Sequence, residues 1–109
     1  MANTESFENV VLELRRGVIV LAALSQLETE EYGYSLLKKL AELGLEVDQG
    51  TLYPLLRRLE TQGVLESVWK LEESRPRRYY VISAEGKKLL PKLKKEWAGI
   101  VSVMDKMLS

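Results

Sequence analysis

DQGTLYPLLRRLETQG, residues 48–63, divides into two faces. Leu52, Leu55, Leu56 and Leu59 fall at i, i+3, i+4 and i+7, one apolar stripe along a helix. The other side carries Gln49, Thr51, Tyr53, Arg57 and Gln62: hydrogen-bonding groups, one cation and one aromatic ring. Such a helix docks its leucines on a small core and turns its polar face to a partner. The DNA major groove, wide enough to admit an α-helix, is the candidate; an ordinary solvated surface helix is the plainer alternative. Asp48 is placed to cap this helix and Gly63 to end it in a left-handed conformation. Pro54 leaves the Gly50 carbonyl without its helical donor. That costs little if the helix begins at Gly50 or Thr51, and produces a kink if it begins at Asp48.

Upstream, Tyr32–Leu43 reads as a second helix with Tyr32, Leu36, Leu37 and Leu40 on its apolar face. Lys38, Lys39 and Glu42 are on its wet face, and Gly44 stands where a helix stops. Leu45–Val47 is either one strand rung or part of the turn. Leu27–Glu31, LETEE, is polar and turn-like. Before it, Ser6–Gln26 has helical spacing at Phe7, Val10, Val11, Leu14, Val18, Leu21 and Ala22. Val18–Leu24 is apolar all round, which asks for more cover than a small domain offers and suggests a second subunit.

Downstream, Val64–Leu71 and Arg77–Ile82 contain β-formers in rough alternation, separated by the polar hairpin segment EESRPR. Together they form a wing with a basic loop. Ser83 caps a last helix, Ala84–Leu108. There Leu90, Leu93, Trp97, Ile100, Met104 and Met107 are spaced 3, 4, 3, 4, 3, a heptad seam. Pro91 predicts a bend. A helix of about 25 residues is about 37 Å long, more than this domain can cover, so a partner helix is expected to share the seam. Val18 and Leu21 of the first helix join Leu90, Leu93, Trp97, Ile100, Met104 and Met107 as the expected dimer interface. The fold class is therefore mainly α with a small β-hairpin: a winged helix-turn-helix over residues 1–82, and a dimerisation helix over 83–109, in a single compact unit.

With 109 residues the chain is one domain, and its 16 basic and 16 acidic side chains cancel. The balance is uneven along the chain: two basic and six acidic residues up to Glu31, eight and seven from Tyr32 to Ile82, six and three after that. Neutrality thus hides an acidic first part and a basic last part, and local charge matters more than the total. No cysteine and no histidine occur, which removes disulfides, thiol nucleophiles, Cys-based zinc sites and the commonest general base. No acid–base pair, phosphate loop or metal constellation stands out, so neither an enzyme nor a cofactor is expected. The longest apolar run, Val18–Leu24, is far too short for a membrane span, and no leader opens the chain. A soluble cytoplasmic protein is the expectation.

YGYSLLKKL (32–40), GTLYPLLRRLETQGVL (50–65), Trp69 and RPRRYYVISAEGKKLL (75–90) together resemble the PadR-like family of bacterial transcriptional repressors. The resemblance runs from about Leu14 to Trp97, and the single long terminal helix is similar to the family's small subfamily. It implies a homodimer that represses transcription, each subunit placing its third helix in a major groove and its wing on the neighbouring backbone. It also implies that Trp97, with Leu93 and Ile100 beside it, lines a pocket at the dimer interface where a planar aromatic effector stacks. The chain departs from the family at the wing, where Pro76 stiffens a tip that is often glycine-rich, and at Pro91.

On that frame, Thr51 and Tyr53 suit phosphate oxygens, Gln49 an adenine edge, and Gly50 a close backbone approach. Arg57 faces outward with Tyr53; Arg58 flanks the stripe and is free to pair with Glu60 or Glu31. Arg75, Arg77 and Arg78 suit phosphate from the wing, although strand alternation lets only some of them face DNA. Lys38 and Lys39 either touch the backbone or are solvated. Tyr79, Tyr80 and Trp69 are read as structural. For Trp97 the plain alternative is interface core without a ligand. Two other functions stay open: a winged-helix protein-interaction module, favoured by net neutrality, and a repressor with no small-molecule effector.

Overall fold

The structure, a computed structural model, describes residues 4–109; residues 1–3 of the expected winged unit lie outside the described residues. The chain runs α1 (Thr4–Ser25), β1 (Glu31–Tyr32), α2 (Gly33–Glu42), α3 (Gln49–Thr61), β2 (Leu65–Glu72), β3 (Arg75–Ile82) and α4 (Ala84–Leu108). This is a winged helix-turn-helix extended by one long helix. Leu52, Leu55, Leu56 and Leu59 of α3 are all at most 5% exposed, so the stripe read from the sequence is the centre of the core. Leu24 and Leu27, Leu36 and Leu40, Leu65, Tyr80, Ile82 and Leu90 close around it. Each buried leucine contributes about 1.5–3 kcal/mol relative to exposure.

The helix ends follow local chemistry. Gly44 (φ +106°) and Gly63 (φ +80°) are left-handed. Beyond each, a backbone N–H reaches back five residues, Leu45 to the Leu40 carbonyl at 2.8 Å and Val64 to the Leu59 carbonyl at 2.9 Å. Asp48 holds the N-cap position of α3, but its side chain makes no capping hydrogen bond; its carbonyl accepts from Thr51 and Leu52. The helix begins at Gln49, so Pro54 lies inside it.

Two features of the sheet differ from the sequence reading. Glu31–Tyr32, expected as turn and as the apolar start of α2, is a strand paired with Tyr80 and Tyr79 of β3, giving the order β1-β3-β2. Two residues carry no periodic signal; the long-range pairing defines them. Of the two readings of Leu45–Val47, a strand rung or part of the turn, the structure takes the second, with no strand there. The expected six-residue loop shrinks to Glu73–Ser74, both with positive φ (49° and 66°), and the strands continue through Glu72 and Arg75. Positive φ at both central residues suits the two-residue hairpin turn that matches strand twist. In such a hairpin Glu72 and Arg75 form the hydrogen-bonded pair, so the next pair, Leu71 and Pro76, needs no N–H from the proline.

Gly86, in the first turn of α4, fixes where that helix departs. A Cβ there would lie 2.3 Å from the Val64 carbonyl oxygen and 2.6 Å from Ile82 Cγ1. Ser83 Oγ accepts from the Gly86 N–H at 3.0 Å and also approaches the Gly63 and Val64 carbonyls at 2.6 and 2.9 Å. Leu90 is buried and Leu93 half-buried; after Leu93 every residue of α4 is exposed. α1 runs beside this exposed part, and it too leaves Phe7, Val10 and Leu14 in solvent, while Val18, Val20, Leu21 and Ala22 are half-buried.

Gly86→Ala is expected to destabilise the chain by about 1–3 kcal/mol through overpacking, because a backbone carbonyl cannot move aside as a side chain can. Urea unfolding measures this, and an unchanged midpoint would show that the corner yields.

Candidate nucleic-acid interface

Tyr53 is where α2 and α3 meet. A Cβ on Gly33 would lie 2.5 Å from Tyr53 Cε1, so glycine is required at the start of α2 for the tyrosine ring to close against it. Tyr32 precedes α2, and its N–H donates to Ser35 Oγ, which donates back to the Tyr32 carbonyl. Burial, then the neighbouring Tyr32 and Tyr34 hydroxyls, push the Tyr53 hydroxyl above its ordinary pKa. It therefore stays protonated at neutral pH and can donate to an acceptor.

In front of Tyr53 lies a pocket of about 330 Å³. α3 contributes Tyr53, Leu56 and Arg57; the α2 side contributes Tyr32, Gly33 and Tyr34; the hairpin contributes Trp69, Arg77, Arg78 and Tyr80. Four residues singled out for DNA contact, Tyr53, Arg57, Arg77 and Arg78, are thus brought together. Four aromatic groups that the sequence reading did not assign to this surface, Tyr32, Tyr34, Trp69 and Tyr80, complete it. A glycine between two tyrosines at a helix start was the signal in the sequence for the α2 part.

The hairpin cations are not equivalent. Arg75 is exposed beside the turn. Arg77 stacks on the Tyr32 ring, 4.5 Å from its centroid, with the Glu72 carboxylate 3.9 Å away, and its buried Nε makes no hydrogen bond. Arg78 instead donates to Glu60 and to Ser67. Glu60, expected as a possible partner of Arg58, therefore belongs to the hairpin. On the outer side Lys70 pairs with Glu30 and lies over Tyr79. A hydrogen bond to Glu72, with burial added, pushes the Tyr79 hydroxyl up to about 12.

The remaining candidates lie around this pocket. Gln49, Gly50 and Thr51 are exposed in the first turn of α3. Thr51 lines a separate depression with Arg15, Arg16 and Asp48. Asp48 there holds negative charge close to the helix N-terminus that would otherwise favour phosphate. Lys38 is exposed on α2 with its ammonium 5.9 Å from the centre of the Tyr34 ring, and Lys39 is half-buried beside it.

A second concave surface, about 660 Å³, separates α1 from α4. Leu14 and Val18 face Trp97, Ile100, Val101 and Met104 across it. Trp97 is 41% exposed and Ile100 51% exposed, and Met107 lies beyond them in solvent. Leu21 and Leu93 are half-buried at the margin of the core. Leu90, expected as the first rung of an intersubunit seam, is only 4% exposed and belongs to the core of its own chain. Among the described residues there is no group of three side chains able to hold a metal ion, and no helix long and apolar enough to cross a membrane.

Comparison with known proteins places this architecture. Residues 20–92 match the Transcriptional regulator PadR-like family. The chain is 35% identical over 79 residues to the transcriptional regulator Rv3488 of Mycobacterium tuberculosis, covering 72% of this chain and 74% of that protein. It superposes with a TM-score of 0.88 on the crystal structure of a PadR family transcriptional regulator from Eggerthella lenta, at 43% identity, covering 96% of this chain and 94% of the other. A PadR family transcription regulator from Clostridium difficile superposes with a TM-score of 0.74 at 32% identity, covering 85% of this chain and all of that one. These relatives are transcriptional regulators and not enzymes, and the chain itself belongs to the PadR-like family of transcriptional regulators.

Proposed function

We propose that this regulator is a cytoplasmic homodimeric repressor whose α3 enters the major groove while the β2–β3 hairpin touches the adjacent backbone. The observation that carries the DNA surface is the gathering of Tyr53, Arg57 and Arg77 around one pocket between α3 and the hairpin. Tyr53 offers a protonated hydroxyl, and Arg57, Arg75 and Arg77 offer charge for phosphate. Gln49, Gly50 and Thr51 approach the bases and backbone from the first turn of α3, with Lys38 alongside. Residues 1–82 act as the DNA-binding unit and 83–109 as the dimerisation helix.

The dimer is supported by the apolar side chains that a single chain leaves in water: Phe7, Val10 and Leu14 on α1, and Trp97, Ile100, Val103, Met104 and Met107 on α4. A contiguous face of this kind on a small chain marks an association surface. In the dimer, Trp97 and its symmetry mate form opposing walls of a site for a planar aromatic effector, with Leu93 and Ile100 beside them. Such a ligand relieves repression only if it binds the DNA-competent spacing of the two α3 helices less tightly than another spacing.

Sedimentation of the unmutated protein should give twice the chain mass. Ile100→Glu combined with Met104→Glu should give monomers, because carboxylates would be buried unpaired in a dry seam; a stable unmutated monomer ends the dimer proposal. For DNA, a pseudo-palindrome with half-sites about 34–36 Å apart is expected. Tyr53→Phe, which keeps the ring packed against Gly33 and removes only the hydroxyl, should weaken operator binding with little change in stability. Arg75→Ala with Arg77→Ala should lower the salt slope by about 1 for each phosphate no longer neutralised. If affinity survives all three changes, or shows no salt dependence, the surface serves a protein partner instead.

The effector is tested by quenching of tryptophan fluorescence with planar dyes in a Trp69→Phe background, where Trp97 alone reports. Stacking contributes about 0.5–1.5 kcal/mol per face beyond buried area, enough with water release for affinity near micromolar. Trp97→Ala, which keeps no reporting tryptophan and is followed instead by the anisotropy of a fluorescent planar dye, should abolish dye binding while dimer and DNA affinity persist. Equal dye binding without Trp97 would leave a repressor with no aromatic effector.

A further inference from the structure

Glu60 is out of place on a surface meant for DNA. It follows Arg57 by three residues and Tyr53 by seven, so all three share one face of α3. A carboxylate there opposes the approach of phosphate. Its surroundings give it another use. Its two oxygens accept from Arg78 Nη2 on β3 and from Ser67 Oγ on β2, and Arg78 Nε donates to the same Ser67 hydroxyl at 3.2 Å. One triangle of contacts therefore ties α3 to both strands of the hairpin. Arg78 lies 5.4 Å from the Tyr80 ring centre and 5.8 Å from that of Trp69, its cross-strand neighbour. The Arg78 and Glu60 side chains are only 34% and 27% exposed, so water and salt screen this pair less than an open surface pair.

We propose that Glu60 and Arg78 are positioning residues for DNA recognition: their ion pair, with Ser67, sets the angle between α3 and the hairpin, and Arg78 is not a phosphate ligand. This rests on the DNA-binding reading of the same surface. It leaves Arg75, exposed at the turn, as the hairpin's first cation for phosphate, with Arg77 beside it only loosely paired, its Nε 3.9 Å from Glu72 and without a hydrogen bond. It also reverses the sign of an electrostatic expectation. Deleting an acidic group from a DNA-facing surface should tighten binding, whereas deleting one that holds the hairpin should weaken recognition of the operator.

The test compares Glu60→Ala, Arg78→Glu and the charge swap Glu60→Arg with Arg78→Glu. Glu60→Ala is expected to lose about tenfold in operator affinity, a typical scale for coupled side chains in one network, with non-specific DNA binding unchanged or tighter. Arg78→Glu alone should lose at least as much, and the swap should recover most of the loss, which removal of a phosphate ligand would not allow. A readout without DNA accompanies it. The chain has no cysteine, so spin labels at Thr61→Cys and Leu71→Cys, both exposed positions, report the distance from the end of α3 to the hairpin by double electron–electron resonance. Labelled subunits are diluted with unlabelled chain.

A narrow distance distribution in the unmutated protein and the swap, broadened in Glu60→Ala, supports the proposal. An unchanged distribution in Glu60→Ala, operator affinity that rises or holds in that variant, or a swap no better than Arg78→Glu alone overturns it. Because the label distances do not need DNA, failure of the unmutated protein to bind any operator counts against the DNA-binding reading, while the distances still decide the clamp.

Discussion

The arrangement depends on one close approach, that of Gly86 to the Val64 carbonyl. Only a residue without a side chain lets the first turn of α4 press on the corner between α3 and β2. Ser83 fastens the same corner by capping α4 and reaching the Gly63 and Val64 carbonyls. The helix is thus held at its root, while everything beyond Leu93 projects from the winged unit. The root of α4 and the turn that ends α3 therefore meet through a few atoms of backbone.

Much of the fold was legible because its signals are local. Four leucines at helical spacing, Gly44 and Gly63 after their helices, and Ser83 before the last one each carry their structural consequence within a few residues. What escaped reading depends on distant partners. β1 is two residues long and exists only because Tyr79 and Tyr80 pair with it. Glu73 and Ser74 adopt left-handed conformations that non-glycine residues disfavour by roughly 1–2 kcal/mol each, so no composition rule would have put a two-residue turn there. The long extrapolation of the heptad back to Leu90 failed for a related reason: spacing says which residues share a face, not which of them the chain's own core already covers.

The candidate site divides in the same way. Tyr53 and Arg57 could be placed on the polar face of α3 from spacing alone. The need for Gly33 beneath the Tyr53 ring, and the capture of Arg78 by Glu60, join elements far apart in the chain and leave no periodic trace. Net neutrality also finds its meaning here. The carboxylates of Glu30, Glu60 and Glu72 are drawn into contacts with Lys70, Arg78 and Arg77, so much of the acidic charge near the hairpin serves its geometry.

Pro76 has an effect on the protein's behaviour in a crowded solution. β1 pairs with β3 only at Tyr79 and Tyr80, so the part of β3 nearer the turn has an open flank. Pro76, in a pair that directs its backbone away from β2, faces that flank and has no N–H to offer. An intruding strand would find the row of donors interrupted, with the charged Arg75 and Arg77 on either side. A strand edge of this kind, left intact, is a template for amyloid-like stacking. The proline that stiffens the wing therefore also protects the chain from aggregating through it.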